Sequence, residues 1–405
     1  MSQQASQRTS PKKVRLGVIG VGNMGSEHVN WLLEGKVGNA EVTAICDHDA
    51  TKFAKWPQLI SFTDSKALIR SGVVDAVIVA TPHFDHTTIG IDVLGQGLHL
   101  MVEKPLSVHK VDCEKIIAAY NKRPKKSQLF AAMFNQRTDP RYLKLRQLIQ
   151  AGELGEIRRV NWIITDWYRT QAYYNSGGWR ATWKGEGGGV LSNQCPHNLD
   201  LMQWLFGMPS KVRGHVGIGK WHDIEVEDAV TAYLEYPNGA TGVFITTTGE
   251  FPGTNRLEVT GDRGKIICEN GKLTFVRATQ SVREHCMTTQ VIWSSPETWN
   301  IEIPTTGNQG WGDQHVGILN NFSAAILTGA PLIAQAVEGI NSVELGNAMV
   351  LSSLLDKTLA LPLDSKMVDR EYKKLIASSK YEQKKAKVSK SGKAQSGDFS
   401  KSFAK

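Results

Sequence analysis

The chain has 405 residues, 41% of them hydrophobic and 21% charged, with a formal net charge of +8. At the usual ~100–200 residues per domain this length holds roughly two to three domains, and the apolar content suffices for a full core. No apolar run approaches the ~20 residues of a membrane helix. MSQQASQRTSPKK passes straight into VRLGVIG, too short for a signal-peptide core, so the expectation is a cytoplasmic protein.

Residues 1–13 read as a flexible, basic N-terminus with Arg8, Lys12 and Lys13. Residues 14–137 then alternate strand-like and helix-like segments. VRLGVIG, EVTAICD, AVIVATP, HLMVEKP and LFAAMFNQ are apolar runs of strand length, with SFTD a further short strand. Between them, SEHVNWLLEG, DSKALIRSG, HTTIGIDVLGQG and DCEKIIAAYNK carry helical spacing. Runs buried on both faces and separated by helices mean a parallel sheet in an α/β domain. The rhythm changes after Arg137, and residues 138–365 read as a second α/β domain. The helix-like DPRYLKLRQLIQAGELG leads into the long alternating strand IRRVNWIITDWY, the Gly- and Trp-rich loop NSGGWRATWKGEGGG and the helix VLSNQCPHNLDLMQWLFG. Strand and turn patterns from Lys211 to Arg277, punctuated by Asn238-Gly239 and Asn270-Gly271, predict an open, mainly antiparallel sheet with helices on one face.

Residues 366–405 read as a basic, disordered tail. From Glu371 onward ten Lys face three acids, which leaves the body of the chain close to neutral. Such a segment cannot bury enough surface to offset its ordering entropy. Weak adhesion to a polyanion is the alternative, but no aromatic stacking pattern supports a nucleic-acid function. The five cysteines are scattered, with no CxxC pair, which argues against a disulfide framework or structural zinc.

The first strand–helix turn reads VIGVGNMG. Gly20, Gly22 and Gly25 fit G-x-G-x-x-G in the context that gives the pattern its meaning, after a strand and before an amphipathic helix. Gly20 permits the tight turn, Gly22 lets a pyrophosphate approach, and Gly25 lets helix and strand pack closely. Asn23 and Met24 begin the helix, whose amides face the phosphates. Asp47 ends the second strand, where a carboxylate accepts hydrogen bonds from an adenine ribose diol. Its charge would repel a 2′-phosphate and no Arg follows directly, so NAD is favoured over NADP. The alternative is that Asp47 merely caps a turn.

Lys104, in Glu103-Lys104-Pro105, ends the fifth strand at the sheet edge where α/β ligands bind, and both Glu103 and Lys104 are expected cofactor contacts. A following proline fixes its geometry. ATPHFDH ends the fourth strand. Thr81, Pro82, His83 and His86 are placed to wall the nicotinamide, His86 also to start the next helix. Asn135 and Gln136 end the last parallel strand and are expected substrate contacts.

GVGNMG, ATPHFDH, EKP and GGGVLSNQCPHNLDL, in this order and with the downstream sheet, resemble the Gfo/Idh/MocA family of NAD(P)-dependent oxidoreductases over residues 14–363. The resemblance implies a Rossmann domain followed by an α/β domain whose open sheet forms an oligomer interface, here a homodimer or homotetramer. It also implies oxidation or reduction of one carbon of a sugar, cyclitol or sugar nucleotide. Lys104 matches the family's catalytic lysine. His197, eight residues after Gly189, matches its catalytic histidine, which would take the hydroxyl proton at its ordinary pKa. Lys104 would stabilise developing alkoxide charge. Many members carry Asp four residues before that histidine, where this chain has Asn193, so a proton relay through position 193 is in doubt.

His83, His86, Cys195 and His197 mimic a metal cluster, but Pro196 intervenes, no carboxylate is adjacent and the reaction needs no metal, so none is expected. Trp162, Trp167, Trp179 and Trp183 cluster with Tyr168, Tyr173 and Tyr174, and aromatic faces stack on sugar rings. For Trp162 and Trp167 a place in the sheet core is an equal reading. Tyr168, Arg169, Trp179 and Arg180 lie in or beside the Gly-rich loop and are the better substrate candidates, with a neutral glycoside or free sugar the favoured ligand. Two other readings share the fold: a glycoside hydrolase that recycles bound NAD, and a non-enzymatic NAD-binding regulator, against which intact Lys104 and His197 argue.

Overall fold

The computed structural model describes residues 13–307 and 312–391. Six parallel strands form the first sheet: β1 (Val14–Ile19), β2 (Ala40–Cys46), β3 (Ile60–Phe62), β4 (Ala76–Val79), β5 (His99–Val102) and β6 (Phe130–Ala132). Helices α1 (Asn23–Leu33), α2 (Ser65–Arg70), α3 (Asp85–Gly95) and α4 (Lys110–Asn121) connect them. Both faces are covered, which is why every residue of AVIV in β4 is buried. The strand order is β3-β2-β1-β4-β5-β6, and it reverses between β1 and β4. The crevice at their carboxyl ends is the switch point where such sheets take a ligand.

The second half opens with α5 (Pro140–Gln150), which starts where Asp139 caps Arg141 N and Pro140 occupies the first turn. β7 (Ile157–Ile164), α6 (Gln171–Asn175), α7 (Val190–Asn193) and α8 (Pro196–Phe206) follow. Then come β8 (Lys211–Ile218), β9 (Glu227–Glu235), β10 (Thr241–Thr247), β11 (Asn255–Gly261), β12 (Gly264–Glu269), β13 (Lys272–Ala278), α9 (Val282–Thr288) and β14 (Thr298–Ile303). With β15 (Leu359–Ala360) these strands form a nine-stranded sheet, antiparallel except where β7 meets β10. Along β7, Val160, Trp162 and Ile164 are buried while Arg159, Asn161 and Ile163 are half-exposed, the period of two of a one-faced sheet. Trp162 therefore belongs to the core.

Two expectations are corrected. First, the chain returns to the first half after the second sheet. α10 (Asp313–Thr328) places Ile318, Leu319 and Phe322 in the core of the parallel sheet, and Ala132 N donates to Ala334 O at 3.1 Å. Arg137, expected at a boundary, is 1% exposed; its guanidinium is bidentate on Asp200 at 2.6 and 2.7 Å and reaches Glu338 at 2.5 Å. The two halves are thus tied through a buried charge cluster. Second, the expected disordered tail is helical up to Ser391. After α11 (Gly339–Leu354) come α12 (Ser365–Ala377) and α13 (Tyr381–Ser391). Val368, Tyr372 and Leu375 line one stripe of α12 and pack on the second core. The Tyr372 ring sits 4.1 Å from that of His109, and its hydroxyl accepts from Asn347 at 3.1 Å. Abundant lysine hid a narrow apolar stripe. Residues 392–405, and 1–12 at the other end, lie outside the described residues.

Candidate active site

The turn after β1 has the geometry that its glycines require. Gly20 has φ +90°, and a Cβ there would lie 2.7 Å from Ala80 O. A Cβ on Gly25 would collide with the Gly20 carbonyl. Gly22 is exposed and has open space above it. α1 begins at Gly22 with no side-chain cap, which leaves its first amides, beside exposed Asn23 and half-buried Met24, to an anionic ligand. Across the crevice Thr81 Oγ1 is buried with no hydrogen-bond partner among the described residues. An open glycine, an uncapped helix and an orphaned hydroxyl fit a dinucleotide pyrophosphate.

Asp47 stands at the end of β2, but its partners are within the protein. Val21 N donates to it at 3.0 Å, Asp49 N at 3.0 Å and Lys52 Nζ at 2.8 Å. It therefore caps the turn. Lys52, five residues downstream, went unweighed in the sequence reading. Three other expected cofactor residues are turned to the protein. His86 is 0% exposed, its ring nitrogens each 2.9 Å from the carbonyl oxygens of Thr81 and Pro105, so it braces the two turns and does not wall the nicotinamide. Glu103 points into α1, 2.6 Å from His28 Nε2. Burial pushes its carboxyl up, and the His28 hydrogen bond and charge bring it down to about 2. His83 donates from Nδ1 to Glu186 O at 3.2 Å, and its ring meets Trp179 edge-on at 6.0 Å. Pro82 is exposed at the rim.

Lys104 precedes a cis peptide to Pro105 and donates from Nζ to Asn193 O at 2.8 Å. Burial lowers its ammonium pKa, while Glu103 and Glu186 push it back up. His197, in the first turn of α8, is 7% exposed, and its Nδ1 has no partner among the described residues. Burial and then Lys104 push its pKa well below the ordinary histidine value. The expectation that it titrates normally is corrected: the ring is neutral across the neutral range, a free but weak base.

Of the substrate candidates, Trp179 and Arg180 form a wall. The Arg180 guanidinium lies 4.7 Å from the Trp179 ring and 4.7 Å from that of Tyr173, and donates to the Tyr173 hydroxyl at 2.8 Å. Tyr168 is 43% exposed beside Phe251 and belongs to the outer rim. Asn135 donates to Gln314 Oε1 at 3.0 Å, leaving its own Oδ1 and the Oε1 of Gln136 buried without partners among the described residues. The would-be metal cluster is occupied otherwise, with Cys195 Sγ 3.0 Å from Thr246 Oγ1.

Three residues escaped the sequence reading. Glu186, just before the glycine triplet, is 1% exposed and accepts from the Asn193 side chain. Glu227 accepts from Gly189 N at 2.9 Å and Leu191 N at 3.1 Å. Lys384, on α13, donates to Arg180 O. Only Glu186 carried a local signal, its place beside GGG.

A family model described as the oxidoreductase family, NAD-binding Rossmann fold, matches residues 14–131, and the Gfo/Idh/MocA C-terminal domain model matches residues 142–267. Together they span more than half of the chain, which belongs to the Gfo/Idh/MocA family of oxidoreductases. An inositol 2-dehydrogenase of Paenarthrobacter aurescens is 26% identical over 354 residues, covering 85% of this chain and 97% of its own. The WlbA dehydrogenase of Bordetella pertussis, solved with NADH and UDP-GlcNAcA, superposes with a TM-score of 0.71 at 23% identity, over 87% of this chain and all of that one. A levoglucosan dehydrogenase solved with NADH and levoglucosan gives 0.73 at 20% identity over the same shares. Among the described residues no helix is long and apolar enough to cross a membrane.

Proposed function

We infer that this chain is an NAD-dependent dehydrogenase acting on one CH–OH group of a sugar or cyclitol, with Lys104 and His197 as its catalytic pair. The observation that carries the assignment is the arrangement at the crevice. Lys104 Nζ is fixed on Asn193 O at the carboxyl edge of the parallel sheet, with a neutral His197 ring in its field. NAD, when bound, supplies the acceptor for hydride from the carbinol carbon. Gly20, Gly22 and the first turn of α1 would hold its pyrophosphate, and Asp47 with Lys52 would face its adenine ribose.

His197 takes the hydroxyl proton, since burial and the Lys104 charge favour its neutral ring. Lys104 donates a hydrogen bond to the same oxygen and offsets the alkoxide charge that grows there. Trp179 and Arg180 offer a flat face and donors to a sugar ring. The inositol and levoglucosan relatives support a neutral substrate, whereas the UDP-GlcNAcA relative keeps an anionic one open.

A homo-oligomer built through the second sheet is part of this reading. Met287, Val291, Ile292 and Trp293, beside its edge strand β14, are 77%, 62%, 86% and 93% exposed, a patch that a second copy would cover. All five cysteines are free, which supports a reducing, cytoplasmic setting.

The test is NADH formation from NAD with a panel of sugars, cyclitols and glycosides, NADP run in parallel. Turnover on one class is the expected result. His197→Ala and Lys104→Met should each lower kcat by ~10²–10⁴-fold while NADH still binds. Bound NADH without turnover, together with aglycone release from glycosides, would replace this reading by the NAD-recycling hydrolase.

A further inference from the structure

We propose that Glu186 supplies the carboxylate that position 193 lacks: a positioning residue that holds Asn193, and through it Lys104, and faces Lys104 with a negative charge. The proposal rests on the dehydrogenase reading of the site and adds a residue to it.

The carboxylate is built in from every side. One oxygen accepts from the Asn193 side chain, and the other accepts from Ala181 N at 2.5 Å. The Glu186 backbone carbonyl takes His83 Nδ1 at 3.2 Å. Asn193 in turn accepts Lys104 Nζ on its main-chain carbonyl oxygen at 2.8 Å. One residue thus lies between Glu186 and the catalytic amine, and both its links are hydrogen bonds.

The glycines that follow explain why an acid can stand there. Gly187 has φ +86°, and a Cβ on it would collide with the Val108 side chain. The backbone passes tight against the segment after β5, and the preceding side chain meets Asn193 at the end of α7. An acid buried to 1% exposure is retained at a desolvation cost unless it is paired. Burial pushes the Glu186 carboxyl up, and Arg180, the Ala181 amide, Asn193 and Lys384, the last from the C-terminal helix α13, pull against that in favour of the charged form. Asn at 193 is then the matching residue. It donates to the carboxylate, whereas Asp would set two acids against each other.

The charged and titratable groups that act on Lys104 come from several elements. Glu103 is its chain neighbour, Glu186, Arg180 and Arg169 lie in the Gly- and Trp-rich segment, and His83, His197 and His315 come from the β4 turn, α8 and α10. Glu103 is committed to His28. Glu186 is the other acid acting on the amine, and removing its charge leaves two guanidinium groups less opposed.

The experiment uses the full chain with NAD bound and compares wild type, Glu186→Gln and Glu186→Gln/Asn193→Asp. The first readout needs no substrate: the rate at which a small amine-acylating reagent modifies Lys104, followed against pH by peptide mass spectrometry. The wild-type midpoint should fall by about one pH unit in Glu186→Gln and recover in the double variant, which restores a carboxylate next to the amine. On whichever substrate class is turned over, the alkaline limb of kcat/KM should move the same way, kcat falling ~10–100-fold with NADH affinity unchanged. A Lys104 midpoint and pH profile identical in Glu186→Gln and wild type overturn the proposal, as does loss of activity in Glu186→Gln that the double variant does not restore while its melting temperature is normal. Failure of the dehydrogenase reading shows separately, as wild type without turnover, and leaves the acylation readout standing.

Discussion

Residues 20–25 and residues 185–189 are both glycine-rich turns that lead into a helix, and they differ in what presses against them. In the first, the neighbours are close in sequence or on the adjoining strand: Gly25 lies against Gly20, and Gly20 against Ala80. In the second they are remote. Gly187 lies against Val108, Glu227 holds the Gly189 amide, and the preceding loop is tied down by the C-terminal segment. Ser379 and Lys380 N reach Glu225, which also accepts Trp183 N at 2.8 Å; Lys384 reaches Arg180 O. A turn that closes on itself is portable as a motif. One that closes on the rest of the molecule depends on residues some 200 positions away.

The largest effect should come from breaking the self-closing turn. In Gly25→Ala the new methyl meets the Gly20 carbonyl, a backbone atom that cannot step aside. A clash of that kind belongs with the changes that cost ~4 kcal/mol or more, so NADH affinity, read by nicotinamide fluorescence, should fall by ~10³-fold. Gly22→Ala separates ligand from fold, since among the described residues nothing beyond its chain neighbours lies within 4 Å of its methyl. It should melt as wild type yet bind NADH ~10–100-fold more weakly. An unchanged affinity would mean that no pyrophosphate passes over Gly22.

The remote turn should respond to changes far from it. Truncation after Ser378 removes Ser379, Lys380 and Lys384 and leaves the parallel sheet untouched. Amide exchange across residues 177–185 should speed up ~10–100-fold by hydrogen-exchange mass spectrometry, with NADH affinity within about twofold of wild type. Equal exchange in both proteins would show that the loop stands without its strap and would erase the contrast drawn above.

That contrast also sets how much was legible beforehand. The parallel sheet, its order of strands and helices, and the glycines at Gly20 and Gly25 followed from local pattern, because buried runs and tight turns are properties of neighbouring residues. Lys104 was singled out by its place at the end of the fifth strand, and the catalytic roles expected of Lys104 and His197 came from the family resemblance. What stayed hidden was pairing itself, near in the chain for Asp47 with Lys52 and Glu186 with Asn193, and remote for Glu103 with His28. α12 and α13 were misread because a lysine-rich composition outweighed the stripe of Val368, Tyr372 and Leu375. The lowered pKa of His197 depends on burial, which no spacing rule states.

A fourth change tests the floor of the remote turn through pH. Burial pushes Glu227 up to about 7, against the Gly189 and Leu191 amides that favour its charge. A carboxyl whose folded pKa is raised gives its full contribution below its unfolded pKa of ~4.3 and loses it as pH rises through about 7. Glu227→Gln keeps an acceptor for both amides and cannot ionise. It should melt with wild type at pH 5 and ~2–4 °C above it at pH 8, by calorimetry. Parallel curves at the two pH values would place the ionisation of Glu227 outside this window.

The smallest effect separates what fastens the strap from what merely decorates it. Lys184 Nζ lies 3.0 Å from Glu382, but the two side chains are 50% and 67% exposed. Water screens such a pair and its net worth is ~0–1 kcal/mol. Lys184→Ala keeps the backbone amide that donates to Ser379 at 3.2 Å. Loop exchange and melting should therefore match wild type, whereas Glu225→Ala, which unhooks Trp183, Ser379 and Lys380 together, should approach the truncated protein. Were Lys184→Ala to loosen the loop as much as Glu225→Ala, the strap would be held by surface charge, and raising the salt concentration alone should release it.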